Sequence, residues 1–110
     1  MKLPNRDKAF IPGNKLVKYL LSGTHPYGKS KAKFFLSLGF KQSNVQTLSE
    51  ALKIIALTAE VSKKVSSPHG EKYILDGSIE SPIGKTIRTR TIWIIDKGQK
   101  RPRFVTAYPV

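Results

Sequence analysis

The chain has 110 residues, with twenty Lys plus Arg against seven Asp plus Glu and a formal charge of +13. That length fits one domain around a single core, and a field of that size draws in nucleic acid, anionic membrane or an acidic protein without choosing among them. The absence of cysteine excludes disulfides and thiolate chemistry, while neither a signal peptide at Met1–Asp7 nor a run of about 18 apolar residues is present, so a soluble cytoplasmic protein with no membrane association is expected.

Residues 1–13 are polar and punctuated by Pro4, Pro12 and Gly13, which favours an extended lead-in. Asn14 is a candidate cap for a short helix from Lys15 to about Ser22, with Leu16, Val17, Leu20 and Leu21 at helical spacing and Gly23 as its stop. After the turn Thr24-His25-Pro26-Tyr27-Gly28, a second helix is predicted over Ser30–Leu38, closed by Gly39. Phe34, Phe35 and Leu38 form its apolar stripe. Lys31 lies three and four residues before the two phenylalanines, which sets its stem beside the core.

The third helix carries the strongest local signal. Thr47 and Glu50 have capping-box spacing, and Leu48, Ala51, Leu52, Ile55 and Ala59 follow with helical periodicity. Beyond Glu60 the composition turns β-branched, with strands predicted at about 61–66, 71–79, 86–95 and 103–108 between turn-forming segments. A helical part over 14–60 followed by strands over 61–110 predicts an α+β fold: two or three helices packed on a four-stranded antiparallel sheet. Alternation puts Arg88, Arg90, Ile92 and Ile94 on one face of the third strand and Thr89, Thr91, Trp93 and Ile95 on the other. In the last strand it sends Phe104, Thr106 and Tyr108 the same way. Both faces are partly apolar, so alternation does not decide which one the helices cover.

Two blocks, His25–Phe35 and Arg88–Trp93 with Arg103–Pro109, concentrate an imidazole, cations, hydroxyls and a phenol while holding almost no carboxylate. That chemistry suits a polyanion. The acids Asp7, Glu50, Glu60, Glu71, Asp76, Glu80 and Asp96 are scattered without metal-ligand spacing. No Gly-rich phosphate loop and no nucleophile elbow occurs either, so neither metal nor cofactor is expected.

The pattern His25-Pro26-x-Gly28-x-x-Lys31-Ala32-x-Phe34-Phe35-x-x-Leu38-Gly39-Phe40, with Gly70-x-Lys72-Tyr73, Gly84, Arg90-Thr91-x-Trp93-Ile94 and Pro102-x-x-Val105-Thr106-x-Tyr108-Pro109, resembles a small family of domains of unknown function. Its members occur as stand-alone proteins or as C-terminal modules of bacterial polymorphic toxins. The layout is similar at the level of fold to the barnase, EndoU, colicin and RelE group of ribonucleases. The resemblance implies a metal-independent endoribonuclease toxin, restrained by an acidic antitoxin or immunity protein. A chain that starts with its own methionine and shows no delivery domain suggests a toxin–antitoxin pair.

RNA transesterification needs a base, an acid and cations around the phosphorane. His25 is the candidate base or acid. Lys31 and Arg90 are candidate phosphate clamps, and Thr91, Thr106 and Tyr108 can orient substrate. Arg88, Lys29, Lys97, Arg101 and Arg103 are candidate RNA contacts, Trp93 a candidate stacking platform, and His69 the reserve imidazole. Each has a plainer reading: a capping or surface histidine, a lysine stem on the core edge, a solvated or aggregation-blocking arginine face, and a core tryptophan. The alternative to an enzyme is a non-catalytic basic module that holds nucleic acid or a partner protein.

Overall fold

The computed structural model describes residues 1–13, 15, 16 and 29–110, with residues 29–31 as backbone only. The predicted first helix therefore lies outside the described residues except for Lys15 and Leu16, and so does His25. Two helices follow, α1 (Lys29–Ser37) and α2 (Val45–Thr58), and then four strands: β1 (Val61–Ser67), β2 (Gly70–Glu80), β3 (Thr86–Asp96) and β4 (Arg103–Pro109). The strands form an antiparallel meander in the order β1-β2-β3-β4. This is the predicted α+β architecture.

α1 stops where Gly39 takes φ 90°. The Phe40 N–H reaches the Phe35 carbonyl at 3.2 Å and the Gly39 N–H reaches Leu36 at 3.0 Å, the paired bonds of a Schellman cap. Phe35 and Phe40 close the cap with an edge-to-face contact, ring centroids 6.2 Å apart.

α2 begins two residues before the predicted Thr47 cap. Asn44 supplies the reason: its side chain accepts from the Lys41 N–H at 2.8 Å and donates to the Gly39 carbonyl at 2.9 Å, which stabilises a 3₁₀ turn leading straight into Val45.

Leu48, Leu52, Ile55 and Ala56 of α2 are buried against one sheet face, made by Tyr73, Leu75, Ile79, Trp93, Phe104 and Ala107, and Phe35, Leu38 and Phe40 join the same core. The helix sits close because β2 has Gly77 beneath it, where a Cβ would stand 2.7 Å from Ile55 Cγ1. The helix-covered face is thus the one that carries Trp93. Arg88, Arg90, Ile92 and Ile94 belong to the other, outer face.

The lead-in is more than a polar tail. Leu3 is fully buried in the core, Lys2 bridges Glu60, and Phe10 pairs with β4 at Arg103. Among the described residues, no helix is long and apolar enough to cross a membrane.

Candidate functional site

Register decides what the outer face presents. Counting back from the β2–β3 turn, Asp76 lies opposite Arg90, and on the other side Arg90 lies opposite Tyr108. The next rung is Ile74, Ile92 and Thr106. Directly opposed residues of an antiparallel pair share a face, so Arg90, Asp76, Tyr108 and Thr106 converge on a patch only one or two rungs deep.

Simple alternation along β4 put Phe104 on this face as well, and there the structure differs. Ile92 pairs with Thr106 while Trp93 pairs with Phe104, so Val105 is an extra residue, a β-bulge. Phe104 turns inward against Trp93, centroids 5.4 Å apart at 71°. Thr106 and Tyr108 turn outward beside Arg90. The bulge is what allows one strand to feed both the core and the patch.

The centre of the patch is an ion pair. Arg90 Nε donates to Asp76 Oδ1 at 2.9 Å and Nη2 donates to Oδ2 at 3.0 Å, a two-pronged contact in which the guanidinium plane matches the carboxylate. Hydrogen bonding from Arg90 holds the Asp76 carboxyl below its ordinary value, and the nearby Arg88 charge adds to this. In turn Asp76, with a smaller contribution from Tyr108, raises the Arg90 guanidinium above its ordinary value. Asp76 takes two of the five guanidinium N–H donors, which fixes Arg90 in place. Arg88 stands exposed on the same face.

Thr106 supplies the second unusual feature. It is 9% exposed, and its Oγ1 has no hydrogen-bond partner among the described residues. A buried hydroxyl with no partner costs stability.

Two candidates are corrected by burial. Thr91 is fully buried; its hydroxyl donates to the Leu75 carbonyl at 2.8 Å and accepts from Trp93 Nε1 at 2.9 Å, so it joins two strands and does not face a substrate. Trp93, also fully buried, is a core residue and not a stacking platform. Lys97, Arg101 and Arg103 lie at the far end of β3, away from Arg90. His69 sits in the exposed β1–β2 turn, where its N–H donates to Ser67 Oγ at 3.2 Å. His25 lies outside the described residues, as do the side chains of Lys29 and Lys31. Among the described residues no three His, Cys, Asp or Glu side chains gather to hold a metal ion.

Asp76 was not among the sequence candidates. Its signal was the short turn Ser81–Lys85, from which the register of the hairpin, and hence the Asp76–Arg90 rung, can be counted.

A family model matches residues 2–110. The chain belongs to the DUF6883 family, a domain of unknown function. No curated protein matches this DUF6883 domain in sequence. Among solved structures, it is similar to a chain of the contact-dependent growth inhibition toxin–immunity protein complex from Klebsiella pneumoniae 342, with TM-score 0.74 and 19% identity over 94% of this chain and 95% of that one. At that identity the two share a fold.

Proposed function

We propose that this DUF6883 domain is a toxin module held in check by an immunity protein, and that it cleaves RNA without a metal on the outer face of its sheet. The fold shared with a chain of a toxin–immunity complex supports the first part. The observation that carries the second is the Arg90 rung: a guanidinium fixed by Asp76, beside Tyr108, on a chain of charge +13.

In the proposed reaction the ribose 2′-oxygen attacks the adjacent phosphorus. The P–O2′ bond forms, the P–O5′ bond breaks, and the products are a 2′,3′-cyclic phosphate and a 5′-hydroxyl. A base takes the 2′-hydroxyl proton and an acid delivers one to O5′. His25 has a suitable ordinary pKa, about 6.5, and it acts as base or acid; Lys31 and Arg90 bear the added negative charge of the phosphorane. Tyr108 orients the phosphate, and Arg88 extends the grip along the backbone.

Purified domain incubated with total RNA in excess chelator is expected to cleave it, and Arg90→Ala or His25→Ala to abolish cleavage while the fold persists by circular dichroism. RNA left intact by the folded domain refutes the enzymatic reading and leaves a basic binding module, whose affinity would fall steeply with salt.

A further inference from the structure

A second cationic feature lies at the other end of β3. The turn after Asp96 exposes Lys97, Lys100 and Arg101, and the N-terminal segment is fastened beside it. Phe10 donates its N–H to the Pro102 carbonyl and accepts from the Phe104 N–H, both at 3.0 Å. Arg101 is pinned over this segment: its Nε donates to the Lys8 carbonyl at 3.1 Å, and its guanidinium carbon lies 4.3 Å from the centroid of the Phe10 ring. Asn5 Nδ2 holds the turn from outside by donating to the Lys100 carbonyl at 3.0 Å.

Between them is a groove of about 420 Å³ lined by Phe10, Asp96, Lys97, Gln99 and Arg101, within the roughly 300–1,000 Å³ of small-ligand sites. Asp96 does not make it acidic, because both carboxylate oxygens accept from Arg103, Nε and Nη2, at 2.9 Å each. Lys97 and Arg101 give the lining its positive character. A guanidinium with one face on an aromatic ring and the rest exposed keeps its other face for a second planar group, and a nucleobase is such a group.

We propose that this groove is a nucleotide subsite for single-stranded RNA: a base stacks on the Arg101–Phe10 pair and Lys97 meets the neighbouring phosphate. The inference rests on the RNA reading of the outer face. Asp96 lies six positions along β3 from Arg90, about 20 Å at roughly 3.3 Å per residue, so the subsite holds a part of the strand remote from the bond that is cut. Single strands are favoured over duplex because only unstacked bases can enter a stack with protein. An acidic protein would use the charges but not the stacking plane.

Fluorescence anisotropy of the intact domain with a 2′-O-methyl single-stranded oligonucleotide, which lacks the attacking hydroxyl, tests this. Arg101→Lys keeps the charge and loses the plane, and is expected to weaken binding about tenfold with an unchanged salt slope. Phe10→Leu should act in the same direction in protein that melts normally in urea, and Lys97→Ala should reduce the salt slope by about 0.7. A duplex of the same sequence should be indifferent to Arg101→Lys. Single-strand affinity within twofold of the parent in both Arg101→Lys and Phe10→Leu would overturn the subsite, as would equal weakening of duplex binding. Polyglutamate bound with the same Arg101 dependence would overturn it in favour of a protein partner. Cleavage of total RNA without any Arg101 dependence of binding sinks the subsite alone; Arg101-dependent binding without cleavage sinks the enzyme reading and leaves the subsite standing.

Discussion

Replacing Thr106 by Val should make the domain more stable. The two side chains have nearly the same shape, and both are β-branched and suited to a strand, so the change exchanges a hydroxyl for a methyl and little else. In most buried sites that exchange destroys a hydrogen bond. Here Oγ1 has no partner among the described residues and sits in a side chain only 9% exposed. The free energy of holding such a group away from water, about 1–3 kcal/mol from protein substitutions, is recovered when the hydroxyl is removed. Allowing for imperfect fit of the new methyl, a gain of about 1–2 kcal/mol is expected. For a domain of this size that corresponds to a rise in Tm of roughly 4–8 °C. Urea unfolding should show a higher midpoint with unchanged slope, since the surface exposed on unfolding is the same. A lower midpoint would mean that the hydroxyl is satisfied within the fold, and the reading of Thr106 as an unsatisfied buried group would fail.

The close approach of α2 to β2 makes Gly77→Ala an informative probe: a Cβ placed 2.7 Å from Ile55 Cγ1 must push the helix or force Ile55 from its rotamer, and a loss of about 1–3 kcal/mol is expected in urea unfolding. Partial recovery by Ile55→Val in the same chain would locate the clash, and a neutral Gly77→Ala would show that the helix is not so close. Acid provides a separate test. Asp76 and Asp96 both have folded pKa values below the ordinary 3.8, held down chiefly by hydrogen bonds from Arg90 and Arg103. Their stabilising contribution is therefore full above about pH 4 and lost as the pH falls through the folded values. Tm measured from pH 6 to pH 2 should drop at the acid end, and the drop should shrink in an Asp76→Asn, Asp96→Asn double variant; an identical pH profile would contradict the pairing.

The sheet could be read from the sequence to within a residue or two because each strand combines β-branched residues with Gly- or Pro-marked turns, and those signals are local. Gly39 likewise announced the end of α1. What escaped depends on contacts between distant segments. The Val105 bulge adds one residue to β4, and no feature of Phe104-Val105-Thr106 distinguishes it from regular alternation until the strand is laid against Ile92 and Trp93. Asp76 looked like one of several scattered acids until the hairpin register set it opposite Arg90. Thr91 and Trp93 had the right residue types for a site but lay on the face covered by α2, a choice that alternation leaves open when both faces carry isoleucine. The first residues looked like a polar lead-in because Leu3 and Phe10 find their partners in the core and on β4, far along the chain.

The most direct test of the central claim is end-group analysis of a short oligoribonucleotide incubated with the purified domain in excess chelator. A 2′,3′-cyclic phosphate is expected on one fragment and a 5′-hydroxyl on the other, both lost with Arg90→Ala. Fragments ending in a 3′-hydroxyl and a 5′-phosphate, or cleavage that survives Arg90→Ala, would contradict it.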